Sequence, residues 1–430
     1  METKYLLGFR GLLAIQAFLW VFLQTFVPAA VYAADNESSG DKQAASLVRK
    51  TLSVLFWNEY FLYGALVFLS GRSLAIPFLQ QPGRERIARS LITRGIQLWF
   101  PVAVSLAIVT VAFSVTSTEY LAVFKARSAN PVLEVPYLLP NTFAYFNAVF
   151  DLFWQTHKLQ TQAANRAFPS ATLWLLNAVY LQSFTVYIAM VIVPYTRARW
   201  RVHGAILFVI TAWWCDSWAW YTISGLSLCD MVINMDWKAH AARGIPVAYN
   251  NNNNNNNNNK TSFRIPVYIP CSLLLVAGLL MQYLWAAYRP DLFEREYKYH
   301  TNMYYTSGLN DEYTTHHIPA RDDVYLVLLG VFGFIESYTV IQRVLENAVL
   351  LFLGKRSLSY FLITAPMLYI AGIPLFSHLH FSQHVSFSGS CIATLLVSLL
   401  LVAVAGELFY RLVERPTKLL AHAFYDFITA

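Results

Sequence analysis

Long apolar stretches dominate this sequence, and shorter polar segments separate them. A helix that crosses the roughly 30 Å hydrocarbon core of a bilayer needs about 20 mostly apolar residues. Ten stretches meet or approach that requirement, and they predict an all-α membrane protein with ten transmembrane helices in a single bundle. The predicted spans are 5–33, 52–76, 95–115, 171–195, 204–217, 218–235, 266–288, 323–342, 357–376 and 388–412. The fifth and sixth form one run broken at Asp216, and each is short for a full crossing.

The polar segments between these stretches complete a single transmembrane domain over 1–430. Three of them are predicted to be non-cytosolic loops: 34–51, 116–170 and the polar 289–322. The segment 116–170 is so apolar and aromatic that we expect it to pack on the outer face or lie in the interface. A cytosolic loop, 236–265, contains ten consecutive asparagines, a low-complexity tract that predicts a disordered loop without chemistry.

Composition supports the membrane assignment, since 57% of residues are hydrophobic and only 13% are charged. The net charge of +7 could suggest a nucleic-acid partner. However, a layout with both termini in the cytosol places 20 of the 31 Lys and Arg residues on the cytosolic side, as the positive-inside rule requires. We therefore expect membrane lipids and no nucleic acid as partners, in the endoplasmic reticulum or the plasma membrane. A cleaved signal peptide remains the alternative for the first stretch, although its apolar part exceeds the usual 7–15 residues.

A charged residue lies inside the first predicted span, GFRGLLAIQAFLWVFLQTFVPAA. Inserting a central Arg costs on the order of 2.5–3.5 kcal/mol, which the following apolar residues offset at roughly 0.3–0.6 kcal/mol each. Arg10 therefore has two interpretations. Its side chain either reaches the cytosolic headgroups, or it faces a cavity as a fixed cation suited to a phosphate or carboxylate.

Other polar groups within or near the spans are candidates for chemistry. The intramembrane acids are Glu59, Asp216, Asp230, Glu336 and Glu407. Four tryptophans surround Asp216 in the sequence, and they indicate either an interfacial belt or the wall of a substrate pocket. The tightest histidine cluster is His378, His380 and His384. An ordinary loop explains this cluster more simply than a metal site, because no carboxylate lies nearby in the sequence.

Seven segments, taken in order, resemble the acyltransferase 3 family of integral-membrane O-acyltransferases. They are GFRGLLAIQAFLW, FLSGRSLAI, RIARSLITRGIQLWFP, ATLWLLNAVYLQSF, ISGLSLCDM, FLGKRSLSYFLITAPML and ELFYRLVERPTKLL. The resemblance covers almost the whole chain. Segments such as LQTFVP and VYLQSFTVY are similar to those of a divergent branch of the family found in filamentous fungi. It implies a ten-helix domain that transfers an acyl group, often acetyl from acyl-CoA, to a hydroxyl of a sugar, lipid or small molecule.

The resemblance also implies roles for particular residues. Arg10 matches an Arg that is thought to meet the phosphate-bearing donor, acyl-CoA, which is a co-substrate and not a bound cofactor. The family His that acts as base would fall at Val21. Three other family polar positions would fall at Gly64, Val179 and Thr364. These departures put the usual mechanism in doubt.

Two functions remain open from the sequence. The first is an acyltransferase in which another group deprotonates the acceptor, the visible substitutes being Asp216, His378, His380 and His384. The second is a catalytically lapsed acyltransferase fold that binds or moves a lipid or small molecule, or that scaffolds a partner. A different kind of transporter is less well supported, because the sequence shows no internal repeat.

Overall fold

The computed structural model describes residues 4–32, 40–155, 161–249, 262–288 and 320–429. Within them the chain is almost entirely helical. The helices of the first half are α1 Lys4–Phe26, α2 Gly40–Val48, α3 Glu59–Gln80, α4 Arg84–Thr116, α5 Glu119–Ser128, α6 Thr142–Trp154, α7 Ala163–Ala167, α8 Trp174–Ile192 and α9 Ala198–Trp214. Those of the second half are α10 Ala219–Asn234, α11 Trp237–Arg243, α12 Tyr268–Gln282, α13 Asp322–Ser337, α14 Thr339–Leu345, α15 Ala348–Lys355, α16 Ser357–Met367, α17 Phe387–Phe409 and α18 Arg415–Thr429.

Several of these helices continue through wider π-helical turns. Such turns follow α2 at Arg49–Ser53, α12 at Tyr283–Tyr288, α16 at Leu368–Gly372 and again at His378–Ser382, and α17 at Tyr410–Glu414. The remaining short elements are the helical turns Val54–Phe56 and Ile373–Ser377 and the 3-10 turns Pro28–Ala30, Pro169–Ala171 and Val193–Tyr195. Each π turn lengthens a helix without interrupting it.

Seven helical runs among the described residues are long and apolar enough to cross a membrane. They are Lys4–Phe26, Ala44–Gln80, Arg84–Thr116, Pro169–Tyr195, Tyr268–Trp285, Ser357–Ser382 and Phe387–Thr429. An eighth span results if α13 and α14, which meet at a bend of 101°, cross together. The protein is therefore a multi-pass membrane protein, as the sequence predicted. The two weakest predicted spans correspond to α9 and α10, with 17 and 16 residues.

The segment 116–170 folds onto the bundle through α5, α6 and α7. Leu121 and Leu152 are fully buried, and the Tyr120 hydroxyl donates to the Tyr369 carbonyl oxygen at 3.1 Å. This agrees with the expectation that the segment packs against the domain.

Segment 236–265 contains α11 and an antiparallel hairpin of β1 Ile245–Tyr249 and β2 Ser262–Ile265. The asparagine tract and most of 289–322 lie outside the described residues.

Helix α1 packs against α3, α14, α15 and α16. The contact with α15 brings the two backbones unusually close. A Cβ atom on Gly11 would lie 2.1 Å from the Leu350 carbonyl oxygen, and one on Gly354 would lie 1.9 Å from the Leu7 carbonyl oxygen. Since real Cβ atoms do not approach so closely, glycine is required at both positions. The glycine that follows Arg10 thus has a packing role.

A buried polar cluster joins α1, α3 and α13. Arg72 and Glu336 form an ion pair at 2.6 Å, with 2% and 0% of their side chains exposed. The Tyr5 hydroxyl donates to the same carboxylate, at 2.8 Å from Oε2. The acid at position 336, which the sequence marked as a candidate for chemistry, is therefore a structural partner of Arg72.

We expect Gly11→Val to destabilise the protein by at least about 1–3 kcal/mol, because α15 must move to admit the side chain. The measurement is the apparent midpoint of thermal unfolding of the protein in detergent. Gly204→Val is the matched control, since a Cβ at Gly204 meets no atom within 4 Å. Equal midpoints for the two variants would contradict the close approach of α1 and α15.

Candidate functional site

A cavity of about 180 Å³ lies between α1, α3, α4, α8 and α16. Most of its wall is leucine and alanine, but Arg10 and Arg94 both line it, together with Ser70 and Ser357. Among the described residues no carboxylate lines this space. We call it the arginine cavity. Its volume is below the 300–1,000 Å³ of sites that enclose a whole ligand, so it would take only part of a larger molecule.

Three helices fix the Arg94 guanidinium. It extends from α4, its Nε donates to Ser183 Oγ on α8 at 2.6 Å, and its Nη2 donates to Ser70 Oγ on α3 at 2.6 Å. The Ser183 hydroxyl in turn donates to the Val179 carbonyl oxygen at 2.7 Å. Because both bonded oxygens belong to neutral hydroxyl groups, the positive charge has no ionic partner in these contacts.

Arg10 extends from α1 into the same cavity. Its guanidinium donates to the Ser73 hydroxyl on α3, and Leu13, Ala14 and Ala17 continue the lining along the same helical face. The residue therefore faces a cavity inside the bundle. Two arginine side chains in one mostly apolar cavity form a site suited to an anion, because electrostatic attraction is larger at low dielectric.

Glu59 lies at the opposite end of the α3 face that lines the cavity. Leu62, Leu66 and Ser70 line the cavity, and Glu59 precedes them at helical spacings of three, seven and eleven residues. Eleven residues of helix separate Glu59 from Ser70 by about 16 Å. The Tyr32 hydroxyl donates to Glu59 Oε2 at 2.9 Å. One face of α3 thus presents a carboxylate at one end and hydroxyls bonded to the two arginines at the other.

Aromatic rings surround the Glu59 end of the bundle. Trp20 packs edge-on against Tyr63 at 5.7 Å between ring centroids, and Tyr63 packs against Trp174 at 4.9 Å. The Arg321 guanidinium lies 4.4 Å from the Tyr60 ring centroid and bonds the Asp323 carboxylate at 2.8 Å. The Glu59 end of the bundle is therefore rich in aromatic side chains.

Asp216 lies outside the lining of the arginine cavity. It is 3% exposed, has a left-handed backbone with φ 49°, and its Oδ1 accepts from the Ala320 N–H at 3.4 Å. Trp218 and Trp220 pack in the core, against Trp174 at 5.9 Å and Tyr325 at 4.4 Å respectively. In these contacts Asp216 links the turn between α9 and α10 to the start of α13.

The three histidines follow α16 and lie outside the cavity lining as well. His378 and His380 fall in a π turn that ends before His384. His380 Nδ1 lies 3.0 Å from the Val385 carbonyl oxygen, and its ring packs 5.4 Å from that of Phe376. No group of three potential metal ligands occurs among the described residues.

Arg94 is the site residue that sequence reasoning missed. In the sequence it belongs to the basic stretch RERIARSLITR, where a cytosolic position explained its charge. The signal that could have identified it is the apolar run that begins directly after it, because this places Arg94 at the depth of a span. Its serine partners are 24 and 89 residues away, and no pattern in the sequence reveals them.

We expect Asp216→Val to lower stability by about 1–3 kcal/mol and Asp216→Asn to be nearly neutral. Valine is strained in the left-handed region, whereas asparagine tolerates it and keeps the acceptor oxygen. Apparent unfolding midpoints in detergent would measure this. Asp236→Val measures the backbone strain without the loss of a buried acceptor, since Asp236 has the same φ of 49° but is exposed. An Asp216→Asn variant as unstable as Asp216→Val would show that the negative charge itself is needed.

The four positions that depart from the acyltransferase 3 pattern are accommodated in the core. Val21 is buried against the aromatic core, and Val179 lines the arginine cavity. Gly64 leaves no room for a side chain, since a Cβ would lie 2.7 Å from a Val324 methyl group. The Thr364 hydroxyl donates to the Tyr360 carbonyl oxygen at 2.7 Å.

No family model, curated protein or solved structure matches this chain.

Proposed function

We propose that this protein is a membrane O-acyltransferase. It transfers an acyl group, acetyl in the simplest case, from acyl-CoA to a hydroxyl of a small molecule, lipid or glycan. The observation that supports this most strongly is Arg94, which lines the same cavity as Arg10 and bonds only neutral oxygen atoms among the described residues.

A comparison with other arginines in the bundle shows why Arg94 is unusual. Arg72, Arg201 and Arg321 each contact a carboxylate, at 2.6, 2.6 and 2.8 Å. A buried charge without such a partner costs several kcal/mol. An anionic ligand in the arginine cavity would offset that cost, and the phosphate groups of acyl-CoA are anions of this kind.

In this proposal Glu59 is the general base in place of the histidine that the family would have at Val21. The donor phosphates lie at the arginines, and the thioester extends along the α3 face toward Glu59. The Glu59 carboxylate takes the proton of the acceptor hydroxyl as its oxygen attacks the thioester carbonyl carbon. The C–O bond forms, the C–S bond breaks, and the proton passes from Glu59 to the departing thiolate, which leaves as the free thiol.

The proposal includes the finer architecture expected of the acyltransferase 3 family. Helices α9 and α10 would be two further spans, which with α13 and α14 as one crossing gives ten in total. Both termini would then be cytosolic, in the endoplasmic reticulum or plasma membrane. Arg10 and Arg94 would lie near the cytosolic end of the bundle, where acyl-CoA is available.

A catalytically lapsed acyltransferase fold is the second candidate. The observation that favours it is the apolar character of Val21 and Val179, which stand where the family has polar groups. In that case the protein would bind or move a lipid or small molecule, or scaffold a partner, and the arginine cavity would bind an anion without turnover.

We expect Arg10→Ala and Arg94→Ala each to weaken binding of labelled acetyl-CoA to the detergent-purified protein by about 10-fold to 100-fold. Each variant removes charge-assisted hydrogen bonds worth roughly 1.5–3 kcal/mol. Equilibrium binding of the label measures this. Arg84→Ala is the control, because Arg84 is exposed and does not line the cavity. Wild-type binding in both cavity variants would refute the donor site.

We expect Glu59→Gln to leave acetyl-CoA binding unchanged and to lower thioester turnover by about 10²–10⁴, the usual contribution of a general base. Turnover is measured as the release of free CoA thiol, and a panel of alcohols, sugars and lipids is supplied as acceptors. Asp216→Asn is the comparison variant, for which we expect turnover near the wild-type rate. Wild-type protein that binds the donor without turning it over would favour the lapsed fold, whereas normal turnover in Glu59→Gln would refute only the assignment of the base.

A further inference from the structure

A second and larger cavity, of about 770 Å³, lies on the other side of α8. Helices α8, α9, α10 and α13 border it on several sides and leave it partly open, and we call it the α9 cavity. Its wall is mainly aliphatic, with Ile188, Ile192, Ile210 and Leu329 among the lining residues. Two hydroxyl groups in the wall, those of Ser224 and Tyr325, bond each other at 2.6 Å and so do not require a polar ligand. This volume falls within the range of sites that enclose small molecules.

Basic residues mark one end of the α9 cavity. Arg201 lines it and pairs with Asp230 at 2.6 Å, while the Arg201 Nε is buried and has no hydrogen-bond partner among the described residues. Arg197 is the N-cap residue of α9 and Arg199 lies in its first turn, next to the lining residues Thr196, Trp200 and Arg201. Both are exposed, and the first turn of α9 contains no acidic residue. Arg197, Arg199 and Arg201, set against Asp230, the one carboxylate among the lining residues, give these four residues a net charge of +2.

We propose that the α9 cavity binds an anionic phospholipid. The phosphate lies at Arg197 and Arg199, and one acyl chain enters the cavity between α8 and α9. The occupant is argued from charge complementarity, since a basic site between transmembrane helices is the kind that binds anionic headgroups. Trp200, which lines the same end, is a residue favoured at the headgroup level.

The headgroup, and not the chain, must provide the selectivity. An acyl chain leaves one apolar environment for another when it moves from the bilayer into the cavity, so it gains little from the hydrophobic effect. Each arginine near an anionic phosphate strengthens binding by about fivefold. The cavity then determines where the lipid lies, and the two arginines determine which lipid it is.

Native mass spectrometry of the detergent-purified full chain tests this proposal. Phosphatidylglycerol and phosphatidylcholine with identical chains are added at equal concentration. We expect one phosphatidylglycerol per protein and weaker retention of phosphatidylcholine. Arg197→Ala combined with Arg199→Ala should weaken phosphatidylglycerol binding by about 25-fold, the product of two fivefold effects.

A second variant tests the position of the chain. Gly204 lines the α9 cavity, and a Cβ there meets no atom within 4 Å, so Gly204→Trp should fill the space without disturbing α9. We expect this variant to lose the bound lipid while keeping the wild-type unfolding midpoint.

Two controls match these variants. Gly83→Trp places the same side chain at another open glycine, outside the cavity. Arg84→Ala combined with Arg415→Ala removes two exposed arginines elsewhere. Equal retention of both lipids, unchanged binding in Gly204→Trp, or complete displacement by soluble glycerol phosphate would each overturn the proposal.

Discussion

The buried ion pair between Arg72 and Glu336 is the interaction on which the arrangement of the bundle depends. It connects α3 to α13, and Tyr5 brings α1 to the same carboxylate. Removing one partner of such a pair leaves a buried charge without compensation, at a cost of about 3–5 kcal/mol. The close glycine contact of α1 with α15 then fixes α1 on its other side. Together these contacts leave α1 little freedom to rotate, and the direction in which Arg10 points follows from them.

Two kinds of arginine environment occur within the bundle, and the difference between them identifies the site. Arg72, Arg201 and Arg321 lie beside carboxylates, so their charges are compensated within the protein. Arg94 forms hydrogen bonds of similar length, 2.6 Å each, to Ser70 and Ser183, but these hydroxyls supply no negative charge. A side chain that is positioned by three helices and not neutralised by any of them has the properties of a binding group.

The sequence predicted the positions of the membrane helices well, because a long apolar run is a strong and local signal. Seven of the ten predicted spans coincide with helical runs long enough to cross, and the span at 323–342 corresponds to α13 and α14, which are bent sharply at Tyr338. The counterparts of the other two, α9 and α10, are shorter. Helices α5 and α6 were not predicted as such, since the same apolar and aromatic composition suits a segment lying in the interface. The bend arises where two helices meet at an extended residue, and nothing in the local sequence requires it.

The candidate site was only half predictable, for a physical reason. Arg10 stands out because an isolated charge in an apolar run is costly to insert into a membrane, and such a charge can be recognised from the sequence alone. Arg94 lies at the end of an apolar run, where a charge costs less and a cytosolic position also explains it, and Glu59 is one of five intramembrane acids that the sequence does not rank. What joins Arg10 and Arg94 is that α1 and α4 each turn one face toward the same cavity. That relation depends on the rotation of each helix about its axis, which is set by the contacts of Tyr5, Arg72 and Gly11.

Helix α8 separates the two cavities, and this gives the two proposals a common element. Leu175, Leu176 and Val179 face the arginine cavity, while Ile188 and Ile192 face the α9 cavity. Ser183, which holds Arg94, lies between these two groups on the same helix. If both proposals hold, a lipid in the α9 cavity contacts the helix that carries Ser183, the residue that holds Arg94. Wherever lipid binding shifts Ser183, it changes the affinity for the donor, and the donor then changes the affinity for the lipid by the same factor.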